Sequence, residues 1–123
     1  MSSDLRSLVD LLKALAHPVR LRILALLRPG EMCVCQVTEV LGLAPSTVSE
    51  HLAALRRAEV LTERKEGKWV HYALSADPAL LPLLEVLWPR LDALDETAED
   101  NRQARAVRAV PVLDTCARMG RTL

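Results

Sequence analysis

The stretch LGLAPSTVSEHLAAL, residues 41–55, sets the reading of the whole chain. Gly42 stands where a helix end calls for positive φ, Pro45 suits the first position of a following helix, and Ser46 and Thr47 fall in its first turn. Val48, Leu52 and Leu55 recur at steps of four and three, the spacing of one buried helix face. Ser46, Glu50, Ala53 and Arg57 then lie opposite that face, with Thr47, Ser49 and His51 on its flanks. With a helix over Val34–Leu41 before it, the pattern is a helix-turn-helix whose second helix, Pro45–Ala58, presents small polar groups of the kind that enter a major groove. Beyond it, Leu61–Lys65 and Lys68–Leu74 read as two strands around Glu66-Gly67, with Val70, Tyr72 and Leu74 alternating on one face. The predicted fold class is mainly α with a small β-hairpin: a winged helix-turn-helix, dimeric.

Working outward toward the amino end, Ser3 and Asp4 can cap a helix carrying Leu5, Leu8, Leu12 and Leu15 on one face. Val9 and Leu11 widen that stripe beyond what a core helix needs, which points to packing against a second subunit. His17-Pro18 ends this helix and opens another that finishes near Pro29-Gly30. Toward the carboxyl end a leucine-rich helix is expected from near Pro82, with a kink or break at Pro89. The predicted division is a winged helix-turn-helix domain over 1–94, with terminal dimerisation helices, and a tail over 95–123 carrying Cys116. That tail is charged, helical in part and expected to be poorly ordered at its end.

Composition narrows the function class. The 123 residues are 50% hydrophobic with no Phe, and 16 Lys+Arg balance 16 Asp+Glu, which fits one globular domain rather than a disordered, fibrous or membrane-spanning chain. Charges at Asp4, Arg6, Asp10 and Lys13 break any secretory leader pattern, so the expected location is cytoplasmic. Three cysteines, two of them one residue apart, favour thiolate chemistry over a secreted disulfide framework. No nucleophile, base and orienting acid are placed by motif, and the chain is read as a non-enzyme.

Arg56, Arg57, Arg64, Lys65 and Lys68 fall at the end of the second helix and along the hairpin, where cations can meet the phosphates flanking a groove. Eight cations face six acids between His17 and Tyr72. With so small an excess, useful affinity for double-stranded DNA requires a dimer spanning two half-sites. The candidate DNA-contacting set is Ser46, Thr47, Ser49, Glu50, His51, Arg57, Arg64, Lys65 and Lys68.

Cys33 and Cys35 straddle Val34 at the start of the helix before the reader. In a regular helix, side chains two residues apart diverge by about 200°, so both sulfurs reach one ion only if this turn is extended or distorted. Two buried, inert thiols are the plain alternative.

The segments LKALAHPVRLRILALL (12–27), EMCVCQV (31–37), LGLAPSTVSEHLAAL (41–55) and RKEGKWVHYAL (64–74) together closely resemble the ArsR/SmtB family of winged-helix repressors, over roughly Leu5 to Leu91. The resemblance implies a homodimer joined through its first and last helices, bound to an imperfect inverted repeat and released by a soft metal or metalloid. The C-V-C element is similar to that of the arsenite-responsive branch, which implies no cofactor in the DNA-bound form and As(III) or Sb(III) as inducer on soft thiolates. That branch commonly has a third cysteine three residues after the second, where this chain has Thr38. Cys116 is the remaining thiol, and the expected site is Cys33, Cys35 and Cys116. A two-thiolate site for organic arsenicals is the variant reading. Pro45 and Glu50 also stand where many relatives have Gln and Arg, which leaves the operator sequence open. A thiol-redox or persulfide-sensing repressor of the same fold is one alternative, and a small thiol metal carrier another.

Overall fold

The computed structural model describes residues 4–118. Asp4 caps the first helix, α1 (Leu5–Leu15), by accepting from the Ser7 amide at 2.7 Å; Ser3, the other expected cap, lies outside the described residues. His17 caps α2 (Pro18–Leu27) in the same way, its Nδ1 accepting from the Val19 amide at 3.1 Å, with Pro18 at the helix start.

The chain then does something the hydrophobic pattern did not announce. Met32–Cys33 forms a two-residue strand, β1, before α3 (Val34–Leu41) begins. Gly42, at φ 67°, closes α3, and α4 (Pro45–Arg57) follows after the turn. The hairpin is β2 (Leu61–Glu66) and β3 (Trp69–Leu74), with Gly67 at φ 62° in the turn. β1 adds to its other side, so the sheet is antiparallel and ordered β1-β3-β2, with Met32 opposite Tyr72 and Cys33 opposite His71. Because side chains alternate along a strand, Val70, Tyr72 and Leu74 join Met32 on the main core, while Trp69 packs on the cysteines.

α5 (Leu81–Asp92) starts one residue before Pro82 and runs on through Pro89. The expected break at Pro89 does not occur. Pro89 is exposed, and so is Glu85, whose carbonyl loses the proline's missing N–H donor and can turn to water. Leu84, Trp88 and Leu91 meanwhile keep one buried face continuous across the proline. The tail carries two helices, α6 (Asp95–Arg108) and α7 (Val112–Arg118). α6 packs on α2 and α3, and α7 on α3. The final stretch, 119–123, for which poor order was expected, lies outside the described residues.

The core is one cluster in which Ile23, Leu24, Leu26, Val48, Leu52 and Leu55 are fully buried. A bidentate Arg22–Asp100 pair, at 2.7 and 2.9 Å, ties α2 to the middle of α6. α4 is tied to α2 by a polar contact: the Arg20 Nε donates to His51 Nδ1 at 3.1 Å, and the His51 ring lies 4.4 Å from that of His17. Burial, then the neighbouring His17 and Arg20, hold the His51 pKa below 6.5, against a weaker opposing pull from Glu50.

Two outcomes follow from this packing. Truncation of Leu52 to Ala leaves a cavity under α4 and is expected to lower the urea-unfolding free energy by about 2–5 kcal/mol. His51 takes up a proton less readily in the folded chain than in the unfolded one. Its contribution is therefore complete above 6.5 and erodes as pH falls through the depressed folded value. Thermal melts between pH 7 and pH 5 should show a fall that His51→Gln flattens.

Candidate functional site

The three cysteines meet. Their sulfurs all lie within 4.8 Å of one another, and Cys33, Cys35 and Cys116 are all buried. The divergence expected of a C-x-C pair on a helix is avoided because Cys33 is not in the helix. It belongs to β1 and is the N-cap of α3, with extended backbone at φ −73° and ψ 152°, whereas Cys35 sits in the helix's first turn. No distortion of α3 is needed for the sulfurs to converge. Gln36, three residues on, reaches back so that its Oε1 accepts from the Cys33 amide at 2.8 Å and holds the cap in place. α7 brings Cys116 in from the opposite side of the sequence. Cys35 and Cys116 are joined in a disulfide with Cα atoms 5.4 Å apart, inside the usual span for such a bond. Cys33 is the free thiol.

Burial pushes the Cys33 pKa up, and backbone N–H groups of Cys35, Val34 and Val70 pull partly against it. The three sulfurs therefore form a buried cluster, with backbone N–H groups at Cys33 that favour its thiolate against the cost of burial. Trp69 and Val112 form its apolar wall. Trp69 Nε1, His71 Nε2 and Thr115 Oγ1 are buried polar atoms without a hydrogen-bond partner among the described residues. Sequence reading did not single out these three. Only the strand alternation of Trp69 and His71 hinted at them, and that depends on the unforeseen pairing of β1. Thr38, where the family resemblance leads one to expect a third cysteine, is buried, and its hydroxyl donates to the Val34 carbonyl at 2.8 Å.

The candidate nucleic-acid face is distinct from this pocket. On α4, Ser46, Glu50 and Arg57 are exposed and Thr47, Ser49 and His51 half-buried around the buried Val48, Leu52 and Leu55. His51 is engaged inward with Arg20, as described above. Lys65 and Lys68 are exposed on the hairpin. Arg64 is also exposed but is held by two carboxylates, donating to both Glu31 oxygens, at 2.5 and 3.2 Å, and to Glu66 at 2.6 Å. The Arg64 guanidinium in turn keeps the Glu31 and Glu66 carboxyls below the ordinary range. Glu31 also sits 4.0 Å from His71 Nδ1. The structure thus brings the three cysteines together, gathers the α4 residues on one face, and sets Arg64 apart from the other hairpin cations.

Comparison with known proteins agrees with this architecture. Residues 17–63 match the family described as "Bacterial regulatory protein, arsR family". The arsenical resistance operon repressor of Escherichia coli (strain K12) is 47% identical over 68 residues, which is 54% of this chain and 58% of that repressor. The chain thus spans little more than half of that relative's length. The arsenic resistance transcriptional regulator ArsR2 of Pseudomonas putida is 35% identical over 95 residues, covering 75% of this chain and 80% of the relative. Among solved structures, the homodimeric winged helix-turn-helix DNA-binding domain of a possible ArsR-family regulator from Mycobacterium bovis superposes with a TM-score of 0.61 at 30% identity, over 71% of this chain and 86% of that one. With matching fold, reader helix and hairpin, the chain belongs to the arsR family of bacterial regulatory proteins and is a winged helix-turn-helix member of it.

Proposed function

We propose that this chain is a homodimeric, DNA-binding transcriptional repressor, and that trivalent arsenic or antimony releases it from its operator by bonding to Cys33, Cys35 and Cys116. The observation that carries the reading is the convergence of three buried sulfurs at the start of α3, the helix that leads directly into the reader α4. Trivalent arsenic supplies a soft, three-coordinate acceptor, which matches a set of three thiolates and no hard ligand. Bonding is balanced when three S–H protons leave with the three hydroxyls of arsenite as three waters. The Cys35–Cys116 bond must first be reduced by two equivalents of an external thiol such as glutathione, which leave as their own disulfide, so the inducible form is the three-thiol form. Cys33 and Cys35 secure the N-terminus of α3, and Cys116 secures α7 against it, so occupancy ties the tail to the element beneath the reader. An inducer that loosens DNA in this way binds the DNA complex less tightly by the same factor.

The division of labour follows the chain: residues 1–94 supply the reader, wing and dimer surfaces, and 95–123 supply the third thiol. Leu5, Leu8 and Leu12 of α1 and Val86 of α5 are exposed, Leu5 by 77% and Val86 by 63%, and a second copy would cover them. Two reader helices related by a two-fold axis match an imperfect inverted repeat. In this reading Ser46, Thr47, Ser49 and Glu50 meet base edges, and Arg57, Lys65 and Lys68 meet phosphates. Arg64, already paired with Glu31 and Glu66, contributes less charge than an unpaired cation. No helix among the described residues is long and apolar enough to cross a membrane. No resident cofactor is needed for the DNA-bound form.

The disulfide favours a second reading, in which oxidation of Cys35 with Cys116 is itself the signal. A metal carrier fits less well, because ligand exchange with a partner needs an exposed thiol and these are buried.

Fluorescence anisotropy on DNA from upstream of its own gene tests the proposal, with arsenite titrated into the complex of the reduced protein. Release is expected at about one equivalent per subunit. Cys33→Ser and Cys35→Ser should bind DNA but resist release, and Cys116→Ser should need more arsenite. DNA binding that ignores arsenite but is lost on oxidation would replace the metalloid reading with the redox one. In the same assay, Lys65→Ala and Lys68→Ala should each reduce the slope of log affinity against log salt by about 1, with no change in sequence preference.

A further inference from the structure

The two thiol-bearing segments approach the site from opposite ends of the sequence, and one side chain touches the approach to both. Arg108 is the last residue of α6. Its guanidinium donates to the Leu26 carbonyl at 3.2 Å, the Gly30 carbonyl at 2.8 Å and the Glu31 carbonyl at 3.1 Å. Leu26 O is one of the carbonyls left without a helical partner at the end of α2, where the helix dipole also favours a cation. Gly30 and Glu31 are the residues that lead into β1 and Cys33. Arg108 thus closes the end of one helix and fixes the entry of the cysteine strand.

On its other side Arg108 governs where the chain goes next. Only 109–111 separate α6 from α7, which is seven residues long. A helix that short does not hold itself together in water, so its position is inherited from what precedes it and from its own few buried groups. Those are Thr115 and Cys116, with Val112 partly buried against the sulfurs. The body of α6 has its own anchors, the Arg22–Asp100 pair and the buried Ala104 and Val107. Arg108 adds what those anchors do not: it registers the exit of α6 against the residues just before Cys33.

We propose that Arg108 is the positioning residue that presents Cys116 to Cys33 and Cys35, setting the effective concentration of the third thiol. This rests on the three-thiol reading above for its consequence in metalloid binding, but not for its consequence in thiol pairing. A guanidinium is needed because a fork of fixed donors can serve three carbonyls at once, which a lysine ammonium does less well.

The test uses the full chain and reads thiol pairing and metalloid coordination separately. In a glutathione buffer two protein thiols and oxidised glutathione exchange to the Cys35–Cys116 disulfide and two reduced glutathiones, and the equilibrium gives the effective concentration of Cys116 at Cys35. Arg108→Met is expected to lower it by about tenfold or more, the equivalent of one lost charge-assisted hydrogen bond, with Arg108→Lys recovering part. X-ray absorption on the arsenite-loaded reduced protein should then count three sulfurs around arsenic in the wild type. In Arg108→Met the count should fall from three toward the two sulfurs and an oxygen of Cys116→Ser. Arg108→Gln makes the same comparison if Arg108→Met does not fold. Wild-type effective concentration in the neutral variants would overturn the proposal. Unchanged arsenite coordination in Cys116→Ser would instead overturn the three-thiol reading, and the glutathione equilibrium would still decide the role of Arg108.

Discussion

Two residues of extended chain laid against the central strand of the hairpin govern the rest of the molecule's chemistry. Met32 pairs with Tyr72 and Cys33 with His71, and that short ladder holds Cys33 outside α3 while Cys35 is already inside it. Were β1 absorbed into the helix, the two sulfurs would face apart and no third thiol could bridge them. The same ladder completes a three-stranded sheet, so the wing and the cysteine pocket share β3. One face of that strand supplies Tyr72 to the core, and the other sets Trp69 on the sulfurs.

Polar links tie this arrangement to the helices. Glu31 accepts at its backbone carbonyl from Arg108, at the end of the tail helix, and at its carboxylate from Arg64, on the wing. The residue two places before Cys33 is therefore where the tail and the hairpin are both fastened. The Arg20–His51 contact plays a comparable part for α4, fixing its flank to α2. His51 thus makes an inter-helix contact in which its neutral form is preferred.

The first four helices and the hairpin were legible in the sequence because each has a signal that acts locally: Asp4 and His17 as caps, Pro18 and Pro45 as helix starts, Gly42 and Gly67 as left-handed turns. β1 was not, because two residues are too few for any alternation to register. Continuity through Pro89 was hidden too, since it depends on which carbonyl faces solvent. α6 is polar and α7 short, so they take their order from packing on α2 and α3, and nothing local marks Arg108 as different from Arg102 or Arg105. The three cysteines could be named as a set, yet their meeting rested on a resemblance and a lone thiol. What actually assembles them is the pairing of β1 with β3 and the path of α6, both long-range.

The bond between Cys35 and Cys116 spans 81 residues of sequence. The reader, the wing, α5 and α6 all lie inside the covalent ring it closes, while α1 and α2 hang outside it. By loop entropy alone, such a ring removes about 4.5 kcal/mol of freedom from the unfolded chain. Oxidised and reduced protein therefore differ first in the ensemble from which they fold. In the oxidised chain the portion carrying α4 and the hairpin is topologically closed, and the leucine-striped α1 remains a free end of the polymer.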